Sequence, residues 1–248
     1  MLKHLAPCLL LLILFLSACS ETVVPPSPTP DPLLTDTTPK PIDLTAEDGI
    51  ALKATYYPQL SGPAPALLLL HMLNSNKEAW SGFALKAQEA GYVVLALDLR
   101  GHGESGGGQD FPAMSLDVDA ALAWLTGRSE VDGERIGMAG GSLGANIALR
   151  SAANRPEVKS VVLLSPGLTY QGLTTLDALA IYGRRPLMLV AAEQDTYAAD
   201  SSRELNIQAL GQHQLQIYPN ADHGTNLLQV QAGLTPMMLA WYQTTLVP

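Results

Sequence analysis

The sequence predicts an α/β fold in which helices cover both faces of a mainly parallel sheet of about eight strands. Three observations point to it. Uninterrupted apolar runs, typical of strands buried on both faces, recur along the chain. Segments with an apolar stripe at helical spacing separate these runs. Two runs that alternate apolar and polar residues come first, which predicts an antiparallel hairpin ahead of the parallel part.

Each strand prediction depends on a short residue pattern. The first two runs alternate around Glu47-Asp48-Gly49, as expected for a hairpin with one solvent-exposed face. The six later runs are apolar on successive residues, as expected for strands that are covered on both faces. In chain order, the strands are predicted at residues 42–45, 50–57, 66–71, 92–97, 135–139, 159–164, 186–192 and 214–218.

Each helix prediction combines an apolar stripe with a start or stop signal. Asn76 is a predicted N-cap and Gly91 the matching C-cap, while Pro112 begins the second helix and Gly127 ends it. A short helix-like insertion is predicted at residues 173–182. In chain order, the helices are predicted at residues 76–90, 112–126, 142–154, 173–182, 201–210 and 235–241.

The motif Gly140-Gly141-Ser142-Leu143-Gly144 lies between a predicted strand and a predicted helix. This order of strand, sharp turn and helix is typical of a G-x-S-x-G nucleophile elbow. The turn lifts the serine hydroxyl clear of the backbone, and the close approach of strand and helix favours glycine on either side. Because a helix begins there, the N–H of Leu143 points to where negative charge would develop. The sequence therefore predicts Ser142 as a nucleophile.

A serine nucleophile needs a histidine base, which in this type of fold follows it in the chain. Only His213 and His223 follow Ser142. Ligands of mainly parallel sheets bind outside the carboxyl ends of the strands. His213 precedes the last strand and His223 follows it, so His223 is the predicted base.

The acid that orients the base must also follow a strand. Asp195 comes directly after the strand at residues 186–192, and Glu193 is a second choice on the same ground. Asp177 precedes a strand, and Asp200 is explained as a helix cap. Asp222 neighbours His223 in sequence and so can hardly reach its ring nitrogen. The predicted acid is Asp195.

Several motifs together are similar to those of the α/β-hydrolase superfamily: His71-Met-Leu, Asp98-x-Arg-Gly-His-Gly-x-Ser105, Gly140-x-Ser-x-Gly144, Asp195 and Asp222-His-Gly224. Within that superfamily, the short segment after Ser165 and the surroundings of Asp195 and His223 resemble small esterases and dienelactone-hydrolase-like proteins. The resemblance covers residues 42–248. It implies the α/β-hydrolase fold with a minimal lid.

The resemblance also implies a second donor to the oxyanion. In the superfamily this is a backbone N–H just after the first parallel strand, which corresponds to Leu73. Met72 stands where glycine is usual in the superfamily, so the choice between Leu73 and Met72 stays open. Dienelactone hydrolases use a cysteine nucleophile, and Ser142 therefore favours ordinary ester hydrolysis.

Composition and spacing exclude several other classes of function. A net charge of −9 provides no basic patch for nucleic acid. His71 and His102 lack the partner spacing of a zinc site, and no metal and no cofactor are predicted. In the superfamily these two histidines are structural loop residues. The run at residues 106–108 is interpreted as a flexible loop, because no P-loop lysine accompanies it.

The first 41 residues are predicted to lie outside the fold. An apolar run at residues 5–16 has the length of a signal-peptide core. Leu16-Ser17-Ala18-Cys19 is similar to the lipobox of bacterial lipoproteins, which implies removal of residues 1–18 and a lipid on Cys19. Cys8 would leave with the signal, so no disulfide is expected. Residues 19–41 are rich in proline and predict an extended tether.

These features together predict an extracytoplasmic serine esterase that is held at a bacterial membrane through Cys19 and acts on a small-molecule ester. By resemblance to sorted lipoproteins, Ser20 favours the outer membrane in a cell that has two. Two alternatives stay open: a serine peptidase related to prolyl oligopeptidase, and a hydrolase-like binding lipoprotein without catalysis. The insertion at residues 166–185 argues against the peptidase, because it is too short for a propeller or a large lid.

Overall fold

The computed structural model describes residues 36–219 and 222–246. Eight strands form one sheet in the order β1-β2-β4-β3-β5-β6-β9-β10, and β7 and β8 form a separate small hairpin. The strands are β1 (Lys40–Thr45), β2 (Ala51–Tyr57), β3 (Ala64–Leu70), β4 (Val93–Asp98), β5 (Val131–Gly141), β6 (Val158–Leu164), β7 (Thr169–Tyr170), β8 (Leu173–Thr174), β9 (Leu187–Ala192) and β10 (His213–Tyr218).

The predicted fold class is confirmed. Strand β2 pairs antiparallel with both β1 and β4, whereas every other neighbouring pair in the large sheet is parallel. All eight predicted strands occur. The first begins at Lys40, two residues before the prediction, because Lys40 and Pro41 still pair with Tyr56 and Thr55.

Helices cover both faces of the sheet. The α-helices are α1 (Ser81–Glu89), α2 (Met114–Thr126), α3 (Leu143–Ala153), α4 (Leu176–Tyr182), α5 (Thr196–Gln208), α6 (Leu227–Val230) and α7 (Leu234–Leu246). Alternate residues of β3 divide between the two faces: Leu68 and Leu70 pack with the helices α2 to α4, and Leu67 and Leu69 pack with α1 and α7. A strand buried on both sides is apolar at every position, which explains the continuous run in the sequence.

Two predictions about the elements near the carboxyl ends of β6 and β9 are wrong. The helix predicted at residues 201–210 begins at Thr196, since Ala198 and Ala199 pack on the sheet and the stripe starts there. The insertion is not helical throughout, because a hairpin precedes α4. Leu173 and Thr174, within the predicted range, pair as β8 with β7 across a turn at Gln171 and Gly172, so the helix begins only at Leu176.

The predicted signal peptide, Cys19 and most of the predicted tether lie outside the described residues. Membrane attachment therefore stays a prediction. Within residues 36–219 and 222–246, no helix has the length and apolar character that crossing a bilayer requires.

Candidate active site

The sheet reverses its winding at its centre. The chain adds β4 on one side of β3 and then β5 on the other, so β3 and β5 flank the switch point. Crevices at such points, outside the carboxyl ends of the strands, are where open α/β sheets bind ligands. The Gly140–Gly144 motif follows β5, and the His71–Leu73 segment follows β3. The sequence motifs therefore meet at this edge.

The motif at residues 140–144 is a strained turn, which we call the elbow. Ser142 has a φ of 51°, which is uncommon for a residue other than glycine. A Cβ on Gly140 would lie 2.1 Å from the Gly144 oxygen, and a Cβ on Gly144 would lie 2.4 Å from the His71 oxygen. Both positions are crowded by backbone atoms, so only glycine fits. The elbow thus presses α3 against the end of β3.

Ser142, His223 and Asp195 form a chain of hydrogen bonds. The Ser142 Oγ and the His223 Nε2 are 2.6 Å apart, and the His223 Nδ1 and the Asp195 Oδ2 are 2.5 Å apart. With the carboxylate accepting from Nδ1–H, the neutral ring leaves Nε2 free to accept the serine proton. The Ser142 residue is buried, and 40% of the His223 side chain is exposed. The site is therefore reached from solvent over the histidine.

Asp195 occupies the N-cap position of α5, six residues before the predicted helix start at Ser201. Its side chain makes no capping hydrogen bond and is directed to His223 instead. The positive end of α5 stabilises a carboxylate at this place. Asp200, interpreted from the sequence as a cap, lies inside the helix and pairs with Arg203. The second-choice acid, Glu193, also pairs with Arg203 rather than with His223.

Comparison with known proteins identifies the fold family. A family model described as the alpha/beta hydrolase fold matches residues 65–181, which include the elbow. The chain has the α/β-hydrolase fold, and nearly half of it matches that family. An uncharacterized protein of Mycobacterium tuberculosis is 35% identical over 144 residues, which are 57% of this chain and 51% of that relative. The match thus spans about half the length of these curated relatives.

Solved structures agree with this hydrolase fold. An esterase of Pyrococcus furiosus has a TM-score of 0.72 at 22% identity, covering 85% of this chain and 91% of that one. A dienelactone hydrolase of Anabaena variabilis has a TM-score of 0.69 at 20% identity, covering 84% of this chain and 98% of that one. At such identities the structural likeness establishes the fold. Together with the family match, it supports the assignment of this chain as a hydrolase.

A second serine of this hydrolase fold braces the loop that carries His223. Ser165, at the end of β6, is fully buried and also has a φ of 51°. Its Oγ accepts a hydrogen bond of 2.9 Å from the Gly224 N–H. The two serines lie at the ends of neighbouring strands, where the Ser142 N–H donates to the Leu164 oxygen. Sequence reasoning missed Ser165, although its place directly after a buried strand was a usable signal.

The loop after β3 lies beside the elbow. The Met72 sulfur would contact a Cβ on Gly224 at 2.9 Å, so the Met72 side chain covers the backbone next to His223. Leu73 is partly buried in the adjoining core. Leu143 is the first residue of α3, so its N–H has no acceptor within the helix. Both predicted oxyanion donors thus belong to segments that border Ser142, and the choice between Leu73 and Met72 stays a prediction.

The rings of His71 and His102 are held by the backbone. The His71 Nδ1 is 2.8 Å from the Met72 oxygen, which makes it the donor, and its Nε2 accepts from the Leu99 N–H at 3.1 Å. The His102 Nδ1 is 3.0 Å from the Arg100 oxygen. The two ring centroids are 5.0 Å apart. These contacts tie the β3 and β4 loops together beneath the site.

The buried His71 should make the protein sensitive to acid. Burial lowers the pKa of its imidazole from 6.5 to about 4, and the folded ring stays neutral while the unfolded chain takes up a proton. The free energy of unfolding should therefore fall by about 3 kcal/mol as the pH drops from 7 to 4. Urea unfolding of His71→Gln over this pH range should give a flatter dependence. The exposed His213→Gln is the control, and an unchanged slope in His71→Gln would contradict the assignment.

Proposed function

We propose that this protein is a serine hydrolase that cleaves carboxylic esters through an acyl-enzyme intermediate. The observation that carries the proposal is the hydrogen-bonded chain from Ser142 through His223 to Asp195 at the carboxyl edge of the sheet. A nucleophile within reach of a base, whose other nitrogen is held by a carboxylate, is the arrangement that acyl transfer requires. The proposed substrate is a small ester, without a cofactor.

The first half-reaction forms the acyl-enzyme. The Ser142 Oγ attacks the ester carbonyl while the His223 Nε2 takes its proton, so that a C–O bond forms and the carbonyl oxygen becomes an oxyanion. The N–H groups of Leu143 and Leu73 stabilise that charge. The tetrahedral intermediate then collapses, the bond to the alcohol oxygen breaks, and His223 returns the proton to the leaving alcohol.

The second half-reaction releases the acid. Water takes the place of the alcohol, His223 removes its proton, and the hydroxide attacks the acyl carbonyl. When the bond to Oγ breaks, His223 protonates Ser142 and the resting site is restored. Asp195 accepts the Nδ1–H throughout and stabilises the imidazolium that forms twice in each cycle.

The shape of the entrance supports small or accessible substrates. Only residues 165–186 separate β6 from β9, and they contribute one hairpin with two-residue strands and one short helix. The exposed edge of His223 is open to solvent. A site of this kind supports ester hydrolysis without a large lid that has to open first.

A fluorophosphonate probe tests the proposal directly. We expect covalent labelling of the full chain at Ser142, identified by peptide mapping, because such probes report an activated serine. Ser151→Ala should label normally, since Ser151 is a buried serine on the same helix whose hydroxyl has no hydrogen-bond partner among the described residues. Failure of the folded protein to label would favour the binding-protein alternative. Comparing 4-nitrophenyl acetate with a peptide anilide would separate the esterase from the peptidase.

A further inference from the structure

The hairpin β7–β8 presents an aromatic side chain to the proposed reaction centre. Tyr170 is the last residue of β7, just before the turn at Gln171 and Gly172. Its ring meets the His223 ring edge to face, with centroids 6.3 Å apart and an angle of 83° between the planes. The phenol is thus placed on the histidine side of the nucleophile.

The Tyr170 hydroxyl is able to act as a hydrogen-bond donor there. Its surroundings include the Ser142 hydroxyl, the reacting group of the proposed mechanism, and the Asp195 carboxylate, both of which act on the pKa of the phenol. Burial raises the pKa of the Tyr170 phenol, and the nearby Asp195 raises it further. The phenol therefore keeps its proton at neutral pH and does not compete with His223 as a base.

The helix that follows Ser142 holds this hairpin in place. Asn146 is fully buried, its Oδ1 accepts from the Gly167 N–H at 3.0 Å, and its Nδ2 donates to the Leu173 oxygen at 2.8 Å. Thr175 closes the segment by donating to the Gly167 oxygen at 2.9 Å. Because α3 also begins at the elbow, it fixes the position of Tyr170 relative to Ser142.

A second tyrosine locks the hairpin from the outer side. The Tyr197 hydroxyl bonds both the N–H and the oxygen of Thr169, each at 2.9 Å. Its ring packs against the Tyr170 ring with centroids 5.5 Å apart. A Cβ on Gly167 would lie 2.8 Å from Tyr170 and 2.9 Å from Tyr197, so the pair fills the space over a glycine. Tyr170 is accordingly packed between Gly167, the Tyr197 ring and the His223 ring.

We infer that Tyr170 is a further catalytic residue, whose phenol donates a hydrogen bond to the leaving alcohol oxygen as the ester bond breaks. The inference rests on the proposed function. The leaving oxygen has to come within reach of the His223 Nε2 to receive its proton, and Tyr170 stands against that ring, whose Nε2 faces the Ser142 hydroxyl. The proposed oxyanion donors come instead from the start of α3 and from the loop after β3.

The step is balanced without a further reactant. The bond between the carbonyl carbon and the alcohol oxygen breaks, its electron pair goes to that oxygen, and the proton comes from the His223 imidazolium. Tyr170 keeps its own proton and shares it only as a hydrogen bond. An alkoxide leaving group carries much more negative charge on oxygen than 4-nitrophenolate does, so it depends far more on this donor. The inferred substrate class is therefore esters of ordinary alkyl alcohols.

Three acetates that differ only in the leaving group test the inference: 4-nitrophenyl, phenyl and ethyl acetate. For Tyr170→Phe we expect kcat/KM to fall about 50-fold with ethyl acetate and less than about threefold with 4-nitrophenyl acetate, with phenyl acetate between them. The quantity kcat/KM is used because it reports the steps up to formation of the acyl-enzyme. Tyr92→Phe is the matched control, since it removes a buried hydroxyl that has no partner among the described residues, just before the amino end of β4.

The pattern of losses separates a catalytic role from a structural one. Equal losses for all three acetates would mean that Tyr170 only shapes the hairpin, and no loss would mean that it does not act at all. Either result overturns the inference while leaving the proposed function intact. If the unmodified protein hydrolyses none of the acetates and its Ser142 does not react with the fluorophosphonate, the proposed function fails and the inference fails with it.

Discussion

Replacing Ser142 by alanine should lower kcat/KM for 4-nitrophenyl acetate by at least about a thousandfold. In the proposed mechanism the hydroxyl oxygen bonds the acyl group, and no other nucleophile among the described residues lies within hydrogen-bond distance of the His223 Nε2. What activity remains would come from water activated by the histidine and from oxyanion stabilisation, both of which the variant retains. The change removes one oxygen atom and leaves the strained φ of the elbow as it is.

The Ser142→Ala result needs a control for folding. Ser151→Ala removes a buried hydroxyl eight residues further along α3 than Leu143, and it should keep activity within about twofold. Thermal unfolding should give Ser142→Ala a Tm close to that of the unmodified protein. A Ser142→Ala variant that is folded and retains most of its turnover would refute the assignment of the nucleophile.

The strands were predictable because a strand that is buried on both faces appears in the sequence as a continuous apolar run. Leu67 to Leu70 read as one apolar run, since successive side chains enter the two separate cores. The alternating pattern of β2 likewise reflects its place near an edge of the sheet. The alternation of these strands with helices then fixed a parallel arrangement, since parallel neighbours require a crossover.

Three of the site residues could be selected from the sequence by one topological rule, namely that functional side chains of such sheets follow the carboxyl ends of the strands. Ser142, Asp195 and His223 each follow a strand whose carboxyl end lies on the same edge, and the structure brings all three within hydrogen-bond distance. Their catalytic roles remain the proposal. The start of α5 was misjudged because Asp200 and Ser201 resemble a cap, whereas the packing of Ala198 on the sheet sets the true start. At such positions tertiary packing, rather than the local capping residue, determines where the helix begins.

The same rule does not reach Tyr170, and for Ser165 it indicates the edge of the sheet but not the role. Tyr170 lies on an insertion, and its direction depends on the contacts of Asn146, 24 residues earlier. Ser165 follows a strand, but its partner is a backbone N–H, which carries no residue type in the sequence. Residue spacing predicts which side chains share an edge. It does not predict which loops fold back over that edge, because those depend on long-range hydrogen bonds.

In the proposed mechanism, the Asp195 carboxylate sets the direction in which the proton moves between Ser142 and His223. It accepts from the His223 Nδ1–H, so the lone pair of the neutral ring is at Nε2, facing Ser142. In Asp195→Asn the amide oxygen would have to accept that hydrogen bond, but the amide NH₂ donates and favours the opposite tautomer. Nε2 would then carry a proton and could no longer take one from the serine.

We therefore expect Asp195→Asn to lower kcat for 4-nitrophenyl acetate by about 10³- to 10⁴-fold at pH 7.5, with little change in KM. Glu193→Gln is the matched control, because it makes the same change two residues earlier on a carboxylate that pairs with the exposed Arg203, and its kcat should stay within about threefold. A large loss of kcat in Glu193→Gln, together with a nearly normal kcat in Asp195→Asn, would assign the orienting role to Glu193 instead. The two variants differ only in whether the carboxylate holds the imidazole, so the difference between them measures what that hydrogen bond contributes to turnover.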